Sequence, residues 1–293
     1  MHATPREVAE CVRRALAEDL GGDSFDADMD LTSRLSVPAG LQAGARIVAK
    51  ARGVIAGTRA AEAAFRALDP AAVVDVRTRD GASVQPGDLV MTIRCAARAL
   101  LAAERTALNF LQRLSGVATT TRALVDAVAG TGARVLDTRK TTPGLRMLEK
   151  DAVVAGGGTN HRIGLHDQVL LKENHFAMAG RPHEEVVRHC VASQSSPVVA
   201  KARTVDEAVA VVRGGAAVVL LDNFTAGPGL RDAIARVRAE AASRGRTVLV
   251  EASGGVRAEN IRAYADCGVD RISVGALTHS APALDLSLLV EGA

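Results

Sequence analysis

The chain of 293 residues reads as an α/β protein. Mixed elements fill its first 112 residues, and from about residue 133 short apolar runs alternate with helical segments. Two further observations set its character. Nearly every apolar run of the second region stops at a charged side chain. The stretch 137–175, DTRKTTPGLRMLEKDAVVAGGGTNHRIGLHDQVLLKENH, gathers Arg139, Lys140, Arg146, Lys150, His161, Arg162 and Lys172 around Gly156-Gly157-Gly158.

In chain order, an amphipathic helix is expected over about 5–20. Its interleaved charges exclude the apolar centre of a signal peptide. The polar stretch GGDSFDADMDLTS follows, and its Asp26-Asp28-Asp30 lacks the rest of a calcium loop. ARIVAKA, AVVDVRT and DLVMTIR read as strands, RDG and QPGD as the turns between the later ones, and 61–68 as an Ala-rich helix. The spacing DG…V..GD has the look of a biotinyl or lipoyl hairpin, but no lysine stands at its turn, so it reads as ordinary turn chemistry. Two apolar-periodic helices, 97–114 and 118–129, lead into the second region.

There the strands are ARVLDT, QVLLK, SPVVAK, AAVVLLD, TVLVE and DRISV. The helices between them are 143–155, 183–192, 205–214, 229–243 and 257–267. Such alternation calls for parallel strands with crossover helices, as a barrel or a doubly wound sheet. The runs end at Asp137/Arg139/Lys140, Lys172, Lys201, Asp222 and Glu251, with Gly275 after the last. A barrel gathers these ends at one mouth, whereas a doubly wound sheet spreads them along a crest. The repetition of charge favours the barrel.

The charges suggest a polyanionic ligand. Only five of the 36 basic residues are Lys; Lys140, Lys150 and Lys172 fall inside the basic stretch and Lys201 soon after it. Lysine offers phosphate a compact charge, and arginine offers carboxylate a planar fork. The competing reading is a solvated basic surface, but these charges alternate with Gly turns and apolar strand residues. Ser253-Gly254-Gly255, read as directly preceding a helix, and Gly275-Ala276, close to His279, add turns whose backbone N–H groups suit a phosphate.

Composition narrows the rest. Net charge is +3, aromatics are 2%, and there is no Trp and one Tyr, so stacking platforms for nucleic acid are missing. The four cysteines form no metal or disulfide spacing, which fits a reducing cytoplasm. No apolar window has the length of a membrane span. His166, His175, His183 and His189 have no carboxylate spacing that makes a metal site.

Together these residues resemble the quinolinate phosphoribosyltransferase family, also called nicotinate-nucleotide pyrophosphorylase (carboxylating). The resemblance rests on ERTALNFLQRLSGVAT at 104–119, DTRKTTPGLRMLEK at 137–150, GGGTNHRIGLHDQVLLKENH at 156–175, LLDNF at 220–224, EASGG at 251–255 and GVDRISVGALTHS at 268–280, with EDLGGD and DLTS near the start. It implies an N-terminal α/β sandwich over 1–112, an incomplete (β/α) barrel over 113–280 and a tail, 281–293, returning to the first domain. The implied reaction joins quinolinate to phosphoribosyl pyrophosphate with Mg2+, giving nicotinate mononucleotide, CO2 and pyrophosphate in NAD biosynthesis.

By the same resemblance Arg139, His161, Arg162 and Lys172 would hold the two carboxylates, with Arg105 donated by the partner of a homodimer or larger assembly of dimers. Lys140, Lys172 and Asp222 would be catalytic. Lys201 would join the substrate contacts, and Ser253, Gly254, Gly255, Gly275, Ala276 and His279 would hold phosphate. Mg2+ would be held mainly by substrate. One departure stands out: Val199 and Lys201 occupy positions where the family has an acidic, EVEV-like strand, and Asp151 stands where it commonly has Tyr. Three alternatives follow: a paralogue taking a different aromatic acid, a non-catalytic ligand-binding paralogue, and a lyase using a strand-end lysine as nucleophile.

Overall fold

The structure, a computed structural model, describes residues 2–22 and 25–291. Met1, Asp23, Ser24, Gly292 and Ala293 lie outside the described residues, so the polar stretch after the first helix and the tail are placed only in part. The chain divides into two compact units. One is built from the described residues of Met1–Arg122, Thr141–Gly157 and Leu277–Ala293, the other from Ala123–Lys140 and Gly158–Ala276.

In the first unit, α1 (Pro5–Leu20) starts with a capping box. The Thr4 hydroxyl accepts the Glu7 N–H at 3.3 Å, and the Glu7 carboxylate accepts the Thr4 N–H at 2.7 Å. Pro5 at the first helical position needs no N–H partner, and Gly21, at φ +73°, ends the helix. A 3-10 turn (Ala27–Met29) and α2 (Leu31–Ser36) are capped by Asp26 and Asp30. Asp26 and Asp30 are therefore helix-capping groups, and Asp28 between them takes Arg98 at 2.7 Å.

An antiparallel sheet follows, with β1 (Gln42–Ala49), β3 (Val73–Val76) and β5 (Leu89–Ala96); β2 (Gly53–Val54) and β4 (Ser83–Val84) pair separately. The chain's last strand, β12 (Leu286–Val290), adds to β1, giving the order β12-β1-β5-β3. Ala45, Ile47 and Ala49 are fully buried on one face of β1. α3 (Thr58–Leu68) buries Ala60, Ala61, Ala64 and Phe65.

The two helices expected at 97–114 and 118–129 are one, α4 (Ala97–Ala127). Ser115 and Gly116, in the gap between the two expected helices, both serve packing. The buried Ser115 hydroxyl accepts the Ala56 N–H at 3.0 Å and donates to the Ala56 carbonyl at 3.2 Å. A Cβ on Gly116 would lie 2.0 Å from the carbonyl oxygen of Pro282.

α5 (Arg146–Ala155) starts three residues later than expected. The fully buried Glu149 reaches back to the Thr142 N–H (3.0 Å) and hydroxyl (2.8 Å), which holds 142–145 as a turn. The same carboxylate takes Arg113 at 2.9 and 3.1 Å. Arg113 also donates to the carbonyls of Ala281, at 2.9 Å, and Thr278. A buried carboxylate with this many donors is compensated for its lost water.

The second unit contains β6 (Arg134–Leu136), β7 (Leu170–Leu171), β8 (Val199–Ala202), β9 (Val218–Asp222), β10 (Leu249–Ser253) and β11 (Arg271–Ser273). All are parallel, in the order β6-β11-β10-β9-β8-β7. Each strand from β7 to β11 neighbours the next in sequence, and β11 returns to β6. A doubly wound sheet has no such return, whereas a barrel requires it. On the far side of β6 only Thr159 bridges to Leu136, and no described strand joins that point to β7, so the barrel is incomplete.

Its helices are α6 (Glu173–Ala179), α7 (His183–Ser193), α8 (Val205–Gly214), α9 (Pro228–Ser243) and α10 (Ile261–Ala265); α11 (Ala276–His279) follows β11 and belongs from Leu277 on to the first unit. α10 is far shorter than the expected 257–267. Asn260 accepts the Arg257 N–H at 2.8 Å and donates to the Gly255 carbonyl at 3.0 Å, tying these residues into a turn.

Candidate active site

The strand ends of the second unit are bridged by contacts between side chains. At the end of β6, fully buried Asp137 accepts the His161 N–H at 2.7 Å, while Thr159 exchanges backbone bonds with Val135 (2.8 Å) and Asp137 (3.2 Å). This pins 159–161 beside β6. The His161 Nδ1 accepts the Arg162 N–H at 2.7 Å, and its Nε2 lies 3.4 Å from Glu251 Oε1 on β10. Ser273 on β11 donates to that same oxygen at 2.6 Å. Glu251 is fully buried, and its Oε2 has no hydrogen-bond partner among the described residues.

Arg162 donates to the Gln168 carbonyl at 3.1 Å across a turn held by Asp167, which accepts the N–H groups of Ile163 (2.6 Å) and Gly164 (2.8 Å). Burial, and next the guanidinium of Arg139, lower the Arg162 pKa against the pull of Asp167. Two guanidiniums that repel in a half-buried setting are held together by the fold and gain from an anion between them. Arg139 Nε is buried and unpartnered among the described residues. Lys140 is exposed, its N–H bonded to Thr138 Oγ1 at 3.1 Å. Lys172, at the end of β7, is exposed, and its N–H is taken by His175 Nδ1 at 2.9 Å, so His175 serves the start of α6.

Across the mouth, Lys201 on β8 places its ammonium 2.8 Å from Asp222 Oδ2 and 2.9 Å from Glu173 Oε2. Asn223 donates to the same Asp222 oxygen at 3.0 Å. Asn223 sits at φ +59°, a left-handed conformation uncommon for a side chain with a Cβ. Its N–H reaches the Ser253 carbonyl at 2.9 Å, and a Cβ on Gly254 would fall 2.1 Å from its side-chain oxygen. Gly254 and Gly255 are left-handed too.

The premise that Ser253-Gly254-Gly255 directly precedes a helix fails. Ser253 ends β10, and five residues separate Gly255 from the short α10, so α10 does not begin at this turn. Gly275 and Ala276 join β11 to α11, which carries the exposed His279; Arg105 is exposed on α4. Among the described residues no three His, Cys, Asp or Glu side chains are arranged to hold a metal.

Glu173 and Asp167 are site residues that sequence reading does not pick out. Nothing in LLKENH separates a carboxylate that meets Lys201 from a helix-start acid. Ser273 likewise looks like an ordinary strand residue until Glu251 is placed beside it.

A parallel barrel with facing guanidiniums and lysines at its strand ends defines a protein that handles small polyanions. The chain matches the quinolinate phosphoribosyl transferase C-terminal domain over residues 117–289 and the N-terminal domain over 30–115. It is 42% identical over 284 residues to the nicotinate-nucleotide pyrophosphorylase [carboxylating] of Mycobacterium leprae (strain TN), covering 95% of each chain. To the probable enzyme of that name from Bacillus subtilis (strain 168) it is 38% identical over 260 residues, 88% of this chain and 87% of that one. The solved nicotinate-nucleotide pyrophosphorylase of Francisella tularensis superposes with a TM-score of 0.87 at 34% identity, covering 99% of this chain and 98% of that one. The chain belongs to the quinolinate phosphoribosyltransferase family.

Proposed function

We propose that this protein transfers the phosphoribosyl group of phosphoribosyl pyrophosphate to quinolinate with loss of CO2, giving nicotinate mononucleotide and pyrophosphate for NAD biosynthesis. The observation that carries the reading is the juxtaposition of the Arg139 and Arg162 guanidiniums, with His161 preceding Arg162, two forks matched to a pyridine with two adjacent carboxylates. The guanidiniums fork the carboxylates, and Lys172 adds a charge at the next strand end. Arg105 of a second copy in a homodimer completes the set.

The pyridine nitrogen forms its bond to the anomeric carbon of the ribose as the bond to pyrophosphate breaks, with the electron pair leaving on pyrophosphate. The ribose passes through an oxocarbenium-like state, as in glycoside cleavage. Lys140 and the backbone N–H groups of Ser253–Gly255, Gly275 and Ala276, with His279, take the phosphate groups. Asp222 faces the ribose. Mg2+ would arrive mainly on the oxygens of the pyrophosphate substrate, where it would neutralise the charge of the leaving group.

Once the ring nitrogen is ribosylated it is cationic. The bond to the adjacent carboxylate then breaks, leaving its pair on ring carbon, where the cation stabilises it until a proton from water replaces CO2. The chain's contribution is orientation and electrostatics. A cytoplasmic setting fits the four free thiols.

The test is a product assay with quinolinate, phosphoribosyl pyrophosphate and Mg2+, read for CO2 and pyrophosphate together. Equal release of both is expected, and a protein inert to quinolinate but active on another aromatic acid would overturn the reading. Inactive Arg105→Ala and Lys172→Ala proteins, mixed and reassembled, should regain partial activity, because a mixed dimer holds one site free of both changes. No recovery after verified subunit exchange would place the whole site in one chain.

A further inference from the structure

Strand order makes the Lys201 contacts a bridge across three neighbouring units. Lys201 lies on β8; Glu173 follows β7 on one side, and Asp222 ends β9 on the other. Two carboxylates flanking one strand end are oxygen donors of the kind a hydrated divalent cation accepts. Here the ammonium lies between them, 2.9 Å from one and 2.8 Å from the other, with all three side chains a third exposed or less. We infer that Lys201 is a resident cation: its ammonium holds the place between Glu173 and Asp222 that a hydrated divalent ion would otherwise take.

Three consequences follow from the charges. A divalent ion approaching this point meets a positive charge, and both carboxylates already have a partner. The free protein therefore binds no divalent ion between these groups. If the transfer reaction proposed above is the protein's own, its metal arrives with the pyrophosphate and is not stored at the mouth beforehand.

The ammonium keeps its charge in this position. Burial by itself lowers the Lys201 pKa, but the hydrogen bonds and charges of Asp222 and Glu173 together raise it above the ordinary 10.5. Glu173 is correspondingly lowered, first by the Lys201 hydrogen bond. A methionine at 201 has nearly the reach of lysine without the charge, so it would leave two carboxylates facing an uncompensated gap.

Mn2+ serves as the probe, titrated into the substrate-free full chain and followed by electron paramagnetic resonance. Wild type should leave Mn2+ free. Lys201→Met and Lys201→Gln should each bind one Mn2+ per chain, at least about tenfold more tightly, since affinity follows ligand charge and availability. Adding Asp222→Asn to Lys201→Met should remove the gained site. Two results overturn the inference: wild type binding one Mn2+ as tightly as the variants, with loss on Asp222→Asn, or both single variants failing to gain a site while melting as folded proteins. No substrate is present in this titration, so its failure leaves the transfer reaction standing, and failure of the product assay leaves the cation site standing.

Discussion

The Nε2 of His161 lies 3.4 Å from Glu251 Oε1, the oxygen that also receives the Ser273 hydroxyl. Because His161 Nδ1 accepts the Arg162 N–H, the ring proton of the neutral imidazole sits on Nε2 and faces that carboxylate. The segment beside β6 is thereby keyed to β10 and β11. Glu251→Ala should lower kcat/KM for quinolinate by about ten- to a hundredfold, the scale of one charge-assisted hydrogen bond. Glu251→Gln, which keeps the shape, should lose less. Steady-state rates unchanged in both would make the carboxylate a bystander.

Arg139→Ala and Arg162→Ala should each weaken binding of a pyridine dicarboxylate by about 1.5–3 kcal/mol without unfolding the protein. Calorimetric titration reads the affinity directly. Equal affinities in wild type and both variants would remove these guanidiniums from the pocket.

Gly116→Ala tests the reason why α4 runs on. The new Cβ would press on the Pro282 backbone, 2.0 Å from its carbonyl oxygen and 2.9 Å from the carbonyl carbon. Overpacking against backbone should cost about 1–3 kcal/mol in denaturant unfolding. Gly229→Ala in α9 has open space and no positive φ, so it should stabilise by about 0.4–1 kcal/mol. Similar effects at both positions would show that helix propensity, and not the close approach, governs residue 116.

The bridge of Lys201 has a pH signature. Glu173 is lowered from 4.5, so the stability it contributes is present above that pH and is lost as pH falls through its folded value. Lys201 is raised from 10.5, so its contribution is full below that pH and is lost as pH rises through its folded value. The stability gap between wild type and Lys201→Met should be widest between these limits and narrow toward both. A gap that stays constant across an acid-to-alkaline series of melts would contradict the ion pairs.

Thiol labelling should be selective. Burial, with a smaller push from the Asp69 charge, raises the Cys95 thiol to about 11, and Cys11 and Cys267 are buried as well. Only Cys190 is partly exposed. Iodoacetamide on the native protein at mildly alkaline pH should modify Cys190 first, as peptide mass mapping would reveal. Early labelling of Cys95 would mean that its strand opens readily.

Local chemistry made much of the fold legible. The helices at 5–20 and 205–214 carry Thr at the cap and Glu three residues on, Thr4 with Glu7 and Thr204 with Glu207, and both match the structure to the residue. The parallel barrel was visible in the strand-end charges. What escaped depended on partners distant in sequence. Gly116 looks like a helix break until Pro282 is brought against it, and the 257–267 helix is shortened by side-chain bonds from Asn260 that periodicity does not register. In the site, Arg139 and Arg162 announce themselves by type. Glu173 and Ser273 become interpretable only when neighbouring strands bring Lys201 and Glu251 to them.

The pairing of β12 with β1 sets a constraint on how the chain can be made. β1 is synthesised early and β12 after every other described element, so a nascent chain carries one edge of β1 uncovered until residues 286–290 have been made. A message cut short before residue 286 would leave that edge permanently open, a strand of Ala, Ile and Val presenting unpaired backbone groups to any other growing chain. Loss of residues 286–290 should therefore surface first as aggregation.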